Sequence, residues 1–440
     1  MIPSQRVYQL LALGTGISLG IALFSSASAI ALPLALALML VWDTVVLLLA
    51  WWDARQVKDH RAELTRLLLQ RLSIGRENGV RLVVRSSDRP VVLEIRDDYP
   101  QAFAANPALL QVSLAANSEQ ELTYAVFPTH RGEYRWGNLY VRQRGTWGLG
   151  WHHWQVTQPQ TVAVYPDLLG LQELSLRLAL QTTGNIRQAR RLGMGTEFAE
   201  LREYSVGDDP RLIDWKATAR RDRPLLRVLE PEQEQTLIIL LDRGRLMTAQ
   251  VQGLARFDWG LNATLALALA GLKRGDRVGV GVFDRYMHLW LPPERGQHQL
   301  SKLVERLTPI EPTLLEPDYL GAVTMVMNQH SRRALVVLIT DLVDKTASSE
   351  LLLSMMRLTP RYLPFCVTLR DPQVDAQANQ LTTNINNSYT RAVALDLLSQ
   401  RQVALASLKQ KGVLILDAPA NQISKQLVDR YLALKVRNQL

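Results

Sequence analysis

Cysteine occurs once in the 440 residues, at Cys366. A single thiol leaves no partner for an intramolecular disulfide and rules out a Cys-based zinc cluster. It lies in LPFCVTL, an apolar strand-like run, so a buried core thiol is expected rather than a nucleophile. Histidine is scarce too, with seven in the chain. His152 and His153 are adjacent in what reads as a turn, and neighbouring side chains diverge, which makes a poor metal pair. No Walker motif is present. Acidic residues are in deficit, 41 against 50 basic ones, giving a net charge of +9 and a pI near 9.7. That balance favours anionic surfaces and says nothing of fold.

Long apolar runs are confined to the N-terminus. Val7 to Phe24 is uncharged, and Ile30 to Trp52 is apolar apart from Asp43. At about 1.5 Å per residue these runs span roughly 27 and 34 Å, enough for a hydrocarbon core. Only a few small residues separate them, so residues 1–52 read as a transmembrane helical hairpin. Arg6 precedes it and Arg55, Lys58 and Arg61 follow it, which puts both ends in the cytoplasm. The expected location is the inner (plasma) membrane. Trp51 and Trp52 fit an interfacial anchor. A rival reading takes Ala27-Ser28-Ala29 as a signal-peptidase site, leaving one spanning helix of the same orientation. Asp43 is costly at mid-membrane, and Thr15 and Ser18 are its expected neutral partners.

Residues 53–78 read as a juxtamembrane helix, since Leu64, Leu67, Leu68 and Leu72 recur at threes and fours with arginines opposite. From residue 79 to 166 the period becomes two. VRLVVR, VVLEIR, ELTYAVFP, YRWGNLYVRQ and TVAVYP suggest a small all-β, sandwich-like antiparallel module. Residues 236–440 change again. TLIILLD, RVGVGVFD, ALVVLITD, LPFCVTL and GVLILD are continuous apolar runs alternating with helical segments, the pattern of an α/β parallel sheet domain. YMHLWLPP could add a short antiparallel edge strand.

Between these lies a connector, residues 167–235, containing GTEFAELREYSVGDDPRLIDWKATARR. Glu197 to Tyr204 places Phe198, Leu201 and Tyr204 on one face of a short helix. Gly207-Asp208-Asp209-Pro210 turns into a second helix capped by Asp209. Glu197, Arg202, Tyr204, Gly207, Asp208, Arg211, Asp214, Trp215, Lys216 and Arg220 form the candidate site. So many cations would hold the carboxylates ionised, and no Ser-His-Asp set or metal-ligand spacing is nearby, which argues against catalysis. The acids nearly cancel the bases, which argues against nucleic acid. The remaining reading is a paired network that docks the connector onto the α/β domain or a partner, with Trp215 as its apolar anchor.

The run G-x-E-F-x-x-L-R-x-Y-x-x-G-D-D-x-R-x-I-D-W-K-x-x-A-R, Gly195 to Arg220, resembles the signature of the bacterial family called domain of unknown function 58. The resemblance implies that the α/β part is a von Willebrand factor type A-like domain. Such domains often hold magnesium with an Asp-x-Ser-x-Ser loop, a Thr and a later Asp. Here Asp242 and Asp341 match the acids, Arg243 to Leu246 lack both serines, and LLEPDYLGA lacks the threonine. A magnesium site is therefore degenerate, and no cofactor is expected. Asp284 ends a third strand beside them. The family further implies a membrane-bound adaptor or co-chaperone beside a MoxR-type AAA ATPase in complex assembly. The function expected is thus a cytoplasm-facing protein-interaction scaffold rather than an enzyme. The alternatives are a metal-dependent hydrolase using the acids at the sheet edge, and a nucleic-acid tether using the basic juxtamembrane segment.

Overall fold

The computed structural model describes residues 2–24, 31–192, 197–230, 235–342, 349–380 and 385–437. Two compact units divide at Val164 and Tyr165.

In the first unit, the short strand β1 (Ile2–Pro3) leads into helix α1 (Gln5–Phe24), and α2 (Ala31–Gln56) follows. The two helices meet where the Trp42 indole donates to the Leu10 carbonyl, at 3.0 Å, and where Val7, Val46 and Ala50 cluster. Among the described residues, Pro33–His60 is the helix long and apolar enough to cross a membrane. Thr15 and Ser18 do not serve Asp43. Both hydroxyls bond to backbone carbonyls one turn back, and Asp43 Oδ1 has no hydrogen-bond partner among the described residues.

The juxtamembrane helix expected over 53–78 is not there. The chain leaves α2 through one 3-10 turn and enters β2 (Glu63–Leu67) and β3 (Arg71–Ser73). Leu64 and Arg66 both point inward from β2, so the arginine that read as a solvated helix face is a buried residue. The sheets continue with β4 (Asn78–Arg85), β5 (Val91–Asp97), β6 (Phe103–Asn106), β7 (Leu110–Leu114), β8 (Glu119–Pro128), β9 (Gly132–Trp136), β10 (Leu139–Arg144), β11 (Gly150–Val156) and β12 (Gln160–Tyr165). His152 and His153 lie in strand β11, not in a turn. Strand orders are β1-β11-β10-β5-β7, β2-β4-β8-β6 and β3-β12-β9. Alternation along β4 and β5 buries Val80, Leu82, Val84, Val91, Leu93 and Ile95. Asp97 takes the next inward position of β5 and receives Arg66, the Tyr124 hydroxyl and the Trp136 indole.

The second unit opens with α3 (Leu168–Leu192), whose Leu171, Leu174 and Leu178 pack on the core that follows. Next come β13 (Glu197–Glu203), α4 (Trp215–Arg221) and β14 (Leu225–Glu230). The sheet domain runs β15 (Thr236–Asp242), the two-residue strands β16 (Gln250–Val251) and β17 (Leu254–Ala255), α5 (Arg256–Lys273), β18 (Arg277–Phe283), β19 (Met287–Glu294), α6 (Gln297–Leu307), α7 (Tyr319–Gln329), β20 (Leu335–Thr340), α8 (Ser349–Leu358), β21 (Leu363–Arg370), α9 (Pro372–Asn379), α10 (Ile385–Gln410), β22 (Leu414–Pro419) and α11 (Ile423–Val436). Strand order is β19-β18-β15-β20-β21-β22, parallel except for β19, the edge strand that YMHLWLPP suggested.

Continuous apolar strands are explained by burial on both faces. Leu237, Ile239 and Leu241 of β15 pack with α5, α6 and α11, while Ile238 and Leu240 pack with α7, α8 and α10. Each such side chain contributes about 1.5–3 kcal/mol on burial. From β15 the chain moves outward to β18 and then returns to β20 on the other side. That reversal opens the crevice at the carboxyl ends of β15 and β20.

Candidate functional site

Two groups of predicted residues can be placed. The first is the charged signature. Glu197 to Glu203 is strand β13, not a helix, because its backbone pairs antiparallel with β14, a partner distant in sequence that the spacing of three does not reveal. The side chain of Glu197 lies outside the described residues. The expected second helix is split. Asp209 caps only a 3-10 turn, Pro210–Leu212, by accepting from the Arg211 amide, and Asp214 caps α4 by accepting from Ala217 N at 3.0 Å.

The ion pairs are one-to-one. Arg202 forks onto both oxygens of Asp208, at 2.8 and 2.6 Å, and Asp208 also accepts from Ser205 N. Arg227 meets Asp214 at 2.7 Å, and Arg223 pairs with Glu203. Arg202 holds the Asp208 carboxyl below its ordinary range, and Arg227 does the same for Asp214. Gly207 turns the chain at a φ of +108°, a region that favours glycine. Tyr204 is half-buried and its amide donates to the Pro224 carbonyl. Trp215 is not an anchor within this chain. Its side chain is 70% exposed, as α4 buries none of its residues, and Val206 stands fully exposed in the turn. Arg211, Lys216 and Arg220 are exposed as well.

The second group sits at the crevice. Asp242, fully buried at the end of β15, accepts from Gly244 N (2.7 Å), Thr340 Oγ1 (2.6 Å) and the Tyr319 hydroxyl (3.1 Å). Burial pushes its carboxyl up to about 6, against the pull of those donors. Asp341, just past β20, receives Arg256 on one oxygen and Arg401 on the other, the latter at 2.7 Å. Arg401 also reaches Asp417 Oδ1 at 2.8 Å and the carbonyls of Leu342 and Leu369. Asp284 faces Arg243 at 3.1 Å. Sequence reasoning found the acids but missed their partners. Tyr319 and Thr340 stand where no hydroxyl was recognised, and Arg256 and Arg401 arrive from helices α5 and α10.

A magnesium ion does not fit this donor set. It needs several free oxygens in octahedral array, whereas here the oxygens of Asp242 and Asp341 are already engaged by amide, hydroxyl and guanidinium donors. Among the described residues, no cluster of three metal-ligating side chains occurs.

Residues 200–377 match the model described as protein of unknown function DUF58. That stretch is a DUF58 region. The resemblance read from Gly195 to Arg220 is borne out from residue 200 onward. Uncharacterized proteins of Mycobacterium bovis and Mycobacterium tuberculosis are 27% identical to the chain over 151 residues, 34% of its length. The chain covers only 48% of each of these relatives. Among solved structures, BatB of Bacteroides thetaiotaomicron has a TM-score of 0.33 at 13% identity, covering 46% of this chain and 99% of that one. An aerotolerance-related membrane protein of Bacteroides fragilis has a TM-score of 0.30 at 14% identity, covering 44% and 99%. TM-scores under 0.5 carry no argument for fold or function.

Proposed function

We propose that this is a membrane-anchored protein-interaction scaffold with no chemistry of its own. The observation that carries the reading is the state of the acids at the crevice. Each is occupied by an internal donor, so none is left as a nucleophile, a base or a metal ligand. The metal-dependent hydrolase is disfavoured on the same ground. The parallel sheet, with Asp242 and Asp341 at its carboxyl edge, supports a von Willebrand factor type A-like domain in which guanidinium groups stand in for the ion. A MoxR-type AAA ATPase, implied by the family resemblance, is the partner we propose. The exposed Trp215, together with the exposed Arg211, Lys216 and Arg220 of the same segment, is the surface offered to it. Tryptophan and arginine are the residue types that most often dominate such contacts.

The placement we propose is a two-pass hairpin in the inner membrane with the soluble part in the cytoplasm, a reading supported by the apolar helix and its basic flank. The test is affinity capture from detergent-solubilised membranes, using the full chain and its Arg202→Ala and Trp215→Ala variants. An associated ATPase should co-purify with the parent and be depleted in both variants. Retention of every partner by two folded variants would defeat the reading. Magnesium titration by calorimetry should show no stoichiometric binding. Tight binding that disappears in Asp242→Ala would revive the hydrolase.

A further inference from the structure

The turn that joins β10 to β11, residues 145–149, is clasped to the end of α2. Asp53, 2% exposed, accepts from two backbone amides of this turn and from the first of β11: Trp147 at 3.0 Å, Leu149 at 2.9 Å and Gly150 at 3.2 Å. The approach is close enough that a Cβ on Gly150 would lie 2.5 Å from the Ala50 carbonyl oxygen. The N-terminus closes the clasp from the other side. Ser4 bonds to Gly148 O and Leu149 O, Arg6 donates to Trp147 O at 3.2 Å, and β1 pairs with β11. As a result Trp147 meets Trp52, with ring centroids 4.9 Å apart. Trp51, Trp52 and Trp147 remain 48, 44 and 48% exposed, and Arg55 lies over Trp51 at 5.0 Å.

Resting on the membrane reading above, we infer that Trp147 is a lipid-interface anchor of the β module, set at headgroup depth by Asp53. From Pro33 to Trp52 the helix rises roughly 30 Å, the thickness of a hydrocarbon core. Trp51 and Trp52 therefore mark one boundary of that core, and Trp147 is held at the same level. Indoles settle at this boundary because one edge is apolar and the N–H is polar. Arg6 and Arg55 beside them suit anionic headgroups. The clasp also answers a second need. Backbone amides of an irregular turn near lipid lack water as a partner, and the Asp53 carboxylate satisfies two of them and that of Gly150 where β11 begins. The surface thus fits an anionic lipid headgroup layer.

The test uses full-length protein in phosphatidylglycerol-containing vesicles, with nitroxide labels read by collision with oxygen and with a water-soluble nickel chelate. Cys366 is buried and stays unlabelled, so one reactive thiol at a time comes from Trp147→Cys, Leu38→Cys on the exposed face of α2, and Glu119→Cys on the β module. The label at 147 should read between the oxygen-rich label at 38 and the nickel-rich label at 119. Adding Asp53→Asn should abolish that intermediate depth and raise nickel access at 147 several-fold. If 38 lies in lipid while 147 is as wet as 119, the inference is overturned and the membrane reading stands. If 38 is itself wet, both fall. If Asp53→Asn leaves the depth at 147 unchanged, the role assigned to Asp53 is overturned.

Discussion

At the scale of the residue, Asp242 links the crevice to the stability of the fold, since burial pushes its carboxyl up to about 6. An unfolded aspartate releases its proton near pH 4. Between those values the folded protein binds more protons than the unfolded one. The contribution is therefore fully present below about pH 4 and is lost as pH rises through about 6. Two pH units correspond to about 2–3 kcal/mol. Asp242→Asn imitates the protonated acid, since its carbonyl can still accept from Gly244 N while its amide donates to Thr340 and Tyr319. The variant should be more stable than the parent at pH 7–8 by up to that amount, and the difference should vanish near pH 4. Thermal midpoints of both proteins across pH 4–8 check this. A parent that gains stability over the variant as pH rises would reject it.

At the scale of the element, β2 carries the clearest contrast between local pattern and final structure. Leucines at threes and fours with intervening arginines satisfied a helical template, but the template assumes that arginine faces solvent. Arg66 instead enters the sandwich to meet Asp97 at 2.7 Å, both side chains being almost wholly buried. The pairing depends on β5, which no window around β2 includes. The same limit hid β13, whose partner β14 lies beyond a turn, a 3-10 segment and a helix. By contrast, the alternating runs of β4 and β5 and the continuous runs of β15, β18, β20 and β21 were legible, because their burial is written in their own residues. So were Asp242 and Asp341, as strand ends. Their arginine partners were not, since nothing in α5 or α10 marks one arginine as turned toward a distant acid. The β2 reading has a measurable consequence. Arg66→Ala leaves Asp97 buried without its cation and should cost about 3–5 kcal/mol. Arg85→Ala, which removes an exposed pair with Glu119 from the neighbouring strand, should leave the thermal midpoint unchanged. Equal effects of the two substitutions would show that Arg66 does not sit inside.

At the scale of the whole molecule, the question is which side of the membrane the two units occupy, and the chain supplies its own probe. Cys366 lies on β21 between β20 and β22, fully buried, and burial pushes its thiol up to about 12. A thiol so protonated and enclosed does not react with maleimides at neutral pH. The natural sequence is thus a silent background for labelling. Val206→Cys places a reactive thiol in the exposed turn of the signature segment. The orientation proposed above, with Arg6 before α1 and Arg55, Lys58 and Arg61 after α2, puts both ends of the helical pair in the cytoplasm. A membrane-impermeant maleimide added to cells with an opened outer envelope should therefore leave Val206→Cys unlabelled until the inner membrane is lysed. The parent should stay unlabelled in both conditions. Labelling of Val206→Cys before lysis would invert the orientation, and a cytoplasmic ATPase could then no longer reach the surface around Trp215.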